Sequence, residues 1–390
     1  MKKSIVLFVV MVGVAVLAYA ASEEVQVYEY LYYSTDTKSG QLDILQNMAQ
    51  QKLSGAGEFY AKALRKLVSE YSSVRGVTEK NAADEQAILL SALLGAEKYS
   101  DAAADLWLVA DGFSAPLVKA EALMALGKIR ATTYLPQVIR VLDSLNNSPT
   151  SDRLNGERVA FGAIISLEKF QDPSGYLPVF FASTGWYSDR IKSQASKSLP
   201  FIATDPTPFM MEVVKGAGYN YSTKLNALKT IEAAKIDNKD KANVAVAALA
   251  EGWRASTKDP EMIRILGTMR LLAISMINRY KPSDDAIYPL LERSYTEGFD
   301  TQEKLDAVSA LASQATDEAA RRLSRFLMDL NNKRLSDNIR QEDERMVRAV
   351  IPALGQTGRP LARPALNAVH NSNWTPAVKS LADNAMKQIR

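Results

Sequence analysis

The sequence predicts an all-α fold, a solenoid of antiparallel helix pairs, and three regularities predict it. The first is one helix written several times: Lys, Ala three residues later, Leu four after that, clearest at Lys119/Ala122/Leu126. It returns at Lys192/Ala195/Leu199, Lys224/Ala227/Ile231, Lys304/Ala307/Leu311 and Lys379/Ala382/Met386, with looser copies at Ala163/Leu167, Thr268/Leu272 and Val350/Leu354. The small-residue positions advance by 41, 32, 32, 41, 39, 43 and 32 residues. A period of roughly 30 to 45 residues carried by helices marks a repeat array. The second regularity is an aromatic five or six residues before the lysine: Phe113, Trp186, Tyr187, Tyr219, Phe299 and Trp374. The third is a proline that opens or interrupts the second helix, at Pro136, Pro178, Pro208, Pro289 and Pro364.

Each element has a local reason. Lys2 and Lys3, the apolar run Ile5 to Val16 and the small-x-small site Ala18-Tyr19-Ala20 form a secretory signal peptide pattern over residues 1–20, with cleavage expected after Ala20. Residues 21–40 are tyrosine-rich with partial alternation (Val25, Val27, Tyr28, Tyr30, Tyr32) and read as a short strand or extended arm packed on the first repeat. Residues 41–79 carry two capping helices, 41–53 and 58–71, parted by the turn Ser54-Gly55-Ala56-Gly57. The array runs over 80–390 without an evident linker and opens with a degenerate pair, 81–95 and 100–110. Longer loops are expected over 145–155 and 331–344.

Within the repeat, Ala at the centre lets two helices approach and Leu four residues on fills the same face. The lysine sits near the helix N-terminus, where the helix dipole disfavours a cation. Its recurrence therefore calls for a nearby acid or carbonyl. Ser188, Asn220, Asp300 and Thr375 follow the later aromatics as helix starters. Asp300 with Glu303 has the spacing of a capping box. A recurrent aromatic belongs in the seam between repeats. Trp186, Tyr187, Tyr219 and Tyr221 nevertheless crowd two inter-repeat loops beyond what a seam needs, and are the candidate partner-binding residues.

The phrase Ala122-Leu123-Met124-Ala125-Leu126-Gly127-Lys128-Ile129 followed by Tyr134-Leu135-Pro136 resembles a HEAT repeat, as do the Asp172-Pro173 turn and Val350-Ile351-Pro352-Ala353-Leu354-Gly355. The resemblance covers about residues 80–390 and is to HEAT-like proteins of the exported bacterial type. It implies a right-handed curved superhelix that binds other proteins, with the second helix of each pair on the inner surface. Tetratricopeptide arrays keep a step of about 34 residues. The longer steps and mid-repeat prolines argue against them.

Composition narrows the function. Lys and Arg number 47 against 44 acids, and loss of Lys2 and Lys3 with the leader leaves 45 against 44, so the chain has no basic excess for nucleic acid. There is no cysteine, hence no disulfide and no thiolate metal site. The single histidine, His370, offers no triad and is expected to be an exposed or capping side chain. Ser166-Leu167-Glu168-Lys169 and Ser336-Asp337-Asn338 match two motifs of penicillin-recognising enzymes, but K-T-G is missing and both count as chance. No cofactor, metal or catalysis is expected. The expectation is a non-enzymatic, periplasmic or otherwise exported scaffold for cell-envelope proteins, not integral to the membrane once the leader is cut. The alternative is a periplasmic module that binds peptide or cell-wall glycan.

Overall fold

Alanine at the centre of most of the repeated helices decides how they meet, because a single methyl keeps two backbones close. Ala122, Ala163, Ala195, Ala227, Ala307 and Ala382 are all fully buried, and Leu126, Leu167, Ile231 and Leu311 lie buried one turn on. The structure, a computed structural model, describes residues 23–149 and 151–389. The expected signal peptide over 1–20 lies outside the described residues. No strand occurs among the described residues, and the fold is all-α.

The chain forms two compact units, the first ending at Thr204 and the second beginning at Asp205, although the sequence shows no linker there. The first holds α1 (Glu23–Ser34), α2 (Lys38–Gln51), α3 (Gly57–Glu70), α4 (Val77–Glu97), α5 (Ala103–Gly112), α6 (Pro116–Lys128), α7 (Leu135–Asn147), α8 (Arg153–Phe170), α9 (Tyr176–Thr184) and α10 (Asp189–Ile202). The second holds α11 (Thr207–Lys215), α12 (Tyr221–Ala233), α13 (Asn238–Gly252), α14 (Pro260–Tyr280), α15 (Ile287–Glu297), α16 (Thr301–Gln314), α17 (Asp317–Leu335), α18 (Gln341–Thr357), α19 (Arg363–Ala368) and α20 (Pro376–Gln388). Within each unit the even-numbered helices stack one on the next, and each odd-numbered helix packs on the even-numbered helix after it. This is the solenoid arrangement of helix pairs. A fully buried Leu or Ile is worth about 1.5–3 kcal/mol, whereas an exposed ion pair contributes about 0.2–1 kcal/mol. The buried frame, more than surface charge, holds the stack.

The glycine after the frame leucine has a use. A Cβ on Gly127 would sit 2.6 Å from the Ser166 Cα on α8, and one on Gly355 would sit 2.9 Å from the Ala385 Cα on α20. All five prolines stand in the first turn of their helices, where the missing N–H leaves no intrahelical bond unmade. Ser188, Asn220, Asp300 and Thr375 are N-caps as expected. The box at Asp300 is only half made. Asp300 accepts from the Glu303 N–H (2.8 Å), but Glu303 turns its carboxylate to the Phe299 N–H (2.9 Å) and to Arg270.

Four expectations are corrected. The tyrosine-rich stretch is the helix α1, not a strand or extended arm. Its buried residues are Val25 and Tyr32, two helical turns apart, so helical spacing overrode the partial alternation. It does pack on the first repeat: the Tyr32 hydroxyl donates to Gln86 Oε1 (3.1 Å) and its ring meets Phe59 edge-on at 5.6 Å. The loop expected over 331–344 is mostly helix, since α17 runs to Leu335 and α18 starts at Gln341. The loop expected over 145–155 shrinks in the same way, because α7 runs to Asn147 and α8 starts at Arg153. The Thr268/Leu272 copy is out of register: Thr268 is exposed and its hydroxyl donates to the Arg264 carbonyl. The buried frame of α14 is Ala273 and Ile277, with Arg270 in the place of the lysine.

Candidate functional site

In the first unit α7 has two unlike faces. Leu135, Val138 and Leu142 are buried, and α7 packs on α8. Gln137, Arg140, Val141 and Ser144, spaced at helical intervals, look instead into a cleft of about 650 Å³. Trp107 and Asp111 of α5 form the opposite wall. The floor comes from the starts of two stacked helices: Pro116 and Lys119 of α6, and Asp152, Asn155, Gly156 and Val159 at the head of α8.

The cleft brings donors and acceptors together around one ring. Trp107 stacks on Tyr134 with centroids 5.8 Å apart. Lys119 Nζ donates to the Asp111 carbonyl (3.2 Å), which supplies the carbonyl partner that its place in the helix calls for. Asp152 caps α8: its Oδ1 accepts the Asn155 N–H (3.1 Å) and its Oδ2 the Asn155 side-chain amide (2.5 Å). Arg140 has no acid within ion-pair reach among the described residues. Gln137 Oε1 is buried and has no hydrogen-bond partner among them. Such an atom is normally paired.

The four candidate aromatics separate into two pairs in different units. Trp186 and Tyr187 stack on each other at 4.3 Å. They do not line the cleft; they hold its wall. Trp186 Nε1 donates to the Leu145 carbonyl (2.8 Å) and the Tyr187 hydroxyl to Asn146 Oδ1 (3.0 Å), both at the C-terminal end of α7. Tyr187 is buried, and desolvation, with Glu157 and Asp143 nearby, pushes its phenol pKa up. Tyr219 and Tyr221 are half-buried around the start of α12. The Tyr219 hydroxyl donates to Glu212 Oε1 (3.4 Å), and Lys224 Nζ lies 5.2 Å from the Tyr221 ring centre. The other recurrent aromatics vary: Phe113 and Trp374 are buried, while Phe299 is half exposed beside Gly267.

Sequence reading missed Trp107, Gln137, Arg140 and Asn155, and singled out Lys119 only as a repeat residue. The one available signal was the polar stripe of α7 beside its apolar stripe. Ser166 of the S-x-x-K match is fully buried against Gly127. His370 is partly exposed, with Nε2 3.0 Å from Asp383 Oδ1. Among the described residues there is no cluster of three or more His, Cys, Asp or Glu side chains placed to hold a metal, and no helix long and apolar enough to cross a membrane.

No protein-family model and no curated protein matches the chain. Among solved structures it is similar to human deoxyhypusine hydroxylase in complex with glycerol, at 12% identity and a TM-score of 0.26, over 76% of this chain and 96% of that one. That protein is an enzyme, so the expectation of a non-enzymatic chain is withdrawn. A likeness this distant assigns no activity.

Proposed function

We propose that the chain is a HEAT-like scaffold of the exported bacterial type that holds a cell-envelope protein on its surface, with the cleft between α5 and α7 as a contact site. The observation that carries the reading is a cleft that presents Trp107 beside Arg140, a guanidinium with no ion pair among the described residues. Trp and Arg are the residue types that dominate protein interfaces. The leader pattern over 1–20 supports export to the periplasm. Tyr219 and Tyr221 remain contact candidates on the second unit, whereas Trp186 and Tyr187 brace α7. The test is a photo-crosslinking residue in place of Gln137 in the full chain, expressed in cells. The expected result is a discrete envelope-protein adduct that Trp107→Ala with Arg140→Glu abolishes. Absence of any adduct, or one that survives those changes, overturns the reading. N-terminal sequencing of the secreted product tests the cut after Ala20.

The alternative, a module for peptide or cell-wall glycan, has one observation in its favour. A volume of about 650 Å³ is that of a small-ligand site, and Trp107 with Asn155 and Asp152 suits a polar ligand with a flat face. Saturable binding of purified muropeptides, lost with Trp107→Ala and without a protein adduct, would select it.

A further inference from the structure

The second unit carries a groove of different chemistry, of about 380 Å³, on its odd-numbered helices. One stripe of α13, Ala247, Ala250 and Glu251, leads to Trp253 and Arg254 just past its end; Lys215 ends α11, and Leu290 and Arg293 stand on α15. The small alanines leave the room, and the charges around it are unbalanced. Glu251 is the one acid in the lining, and both its oxygens are engaged. Oε1 accepts from Lys224 Nζ (2.5 Å), a lysine buried behind the groove, and Oε2 lies 3.4 Å from Arg254. Arg293 spends Nε on the exposed Glu297 (2.9 Å) and Nη1 on the Trp253 carbonyl (3.2 Å). Lys215 has no ion pair among the described residues. Lys224 already answers Glu251, so Lys215, Arg254 and Arg293 give the groove a net positive rim.

Trp253 is held in place as the central ring. Its Nε1 donates to Ser294 Oγ (3.1 Å), and the guanidiniums of Arg270 and Arg293 lie 4.1 and 4.6 Å from the ring centre. A fixed indole beside arginines is an anchor for an extended chain, and guanidinium forks match carboxylates in shape as well as charge. We propose that this groove binds an acidic polypeptide segment, with Asp or Glu side chains on Arg254, Arg293 and Lys215 and its backbone over Trp253. Charge complementarity selects this occupant. The inference is independent of the cleft in the first unit.

The probe is a fluorescein-labelled peptide of alternating Glu and Gly, titrated with the full chain and read by anisotropy at low salt. The expected result is saturable binding that weakens with salt and falls at least about tenfold in Arg254→Glu/Arg293→Glu. Lys197→Glu, on the exposed side of α10 in the first unit, leaves it unchanged. If the double variant loses its helical signal, Lys215→Glu, which breaks no ion pair seen in the structure, is expected to weaken binding in the same direction. No binding by the natural chain overturns the proposal, as does binding that these changes leave intact. Variant-sensitive capture of phosphatidylglycerol vesicles without peptide binding also overturns it. Failure of the Gln137 crosslink leaves this result untouched, so the two readings fail separately.

Discussion

Arg270 and Glu303 form a buried fork in which Nε donates to Oε1 at 2.6 Å and Nη2 to Oε2 at 3.0 Å. Glu303 stands in the first turn of α16, and Lys304 repeats the relation with Glu342 in the first turn of α18 (2.9 Å). An acid is favoured at a helix start by the helix dipole. In these two repeats the basic residue is thus answered by the acid that opens the next. The Arg270 guanidinium also donates to the Gly252 carbonyl (3.1 Å). Removing one member of a buried pair leaves the other charged and unsolvated. Arg270→Ala or Glu303→Ala is therefore expected to destabilise the second unit by about 3–5 kcal/mol in urea unfolding. A change under about 1 kcal/mol would show that the pair is hydrated.

Lys224 and Lys119 occupy the same place in the frame and predict unequal effects. Lys224 is buried on Glu251, while Lys119 is half-buried and, among the described residues, donates to a carbonyl. Lys224→Met should cost about 3 kcal/mol, with Arg254 still beside Glu251 to limit the loss. Lys119→Met should cost no more than about 1 kcal/mol. Equal losses in parallel urea titrations would mean that the frame position, rather than the partner, sets the energy.

Gly162 of α8 tests the close approach of α6. A Cβ there would lie 2.6 Å from the Ala120 carbonyl oxygen and 2.7 Å from its Cα, both backbone atoms. Alanine in place of glycine gains about 1 kcal/mol of helix propensity, but overpacking costs about 1–3 kcal/mol. Gly162→Ala is expected to lower Tm. At Gly112 an added Cβ meets nothing within 4 Å, so Gly112→Ala should leave Tm level or raise it. A raised Tm for Gly162→Ala would place the helices farther apart than described.

Glu157 predicts an acid limb of stability. Desolvation opposes its ionisation, but the Ser188 hydroxyl, the Arg153 guanidinium and the Ser188 N–H together hold its pKa below 4.5. A folded pKa below the unfolded one stabilises the protein fully above about pH 4.5, and that contribution is lost as the pH falls through the lower folded value. Glu157→Gln should shrink the stability difference between pH 6 and pH 3 relative to the natural chain. An unchanged difference in urea unfolding at the two pH values would remove Glu157 from this role.

Much of the fold was legible because burial repeats. Ala122, Ala195, Ala227, Ala307 and Ala382 hold one place in the frame, three residues after the lysine, and are all buried, and Pro136 and Pro364 open second helices as their spacing implies. The frame failed in α14, where Arg270 stands in for lysine and the buried alanine is Ala273, five residues after Thr268. An arginine that pairs with a carboxylate in another helix has no local signature. The cleft was largely illegible for a related reason. Trp107, Gln137, Arg140 and Asn155 come from three different helices and look like ordinary surface residues in sequence. Trp186 and Tyr187 attracted notice as a loop pair, but their polar atoms are committed to the end of α7.

What residue order alone determines here is the kind of element and its repetition, since helical spacing, caps and prolines act within a few residues of one another. Only the tertiary structure decided which lysines are buried, where α5 and α7 stand apart, and that two guanidiniums lie 4.1 and 4.6 Å from the Trp253 ring centre. Those outcomes depend on how segments 17 to 40 residues apart meet, and contact between distant segments is set by packing rather than by neighbours in the chain.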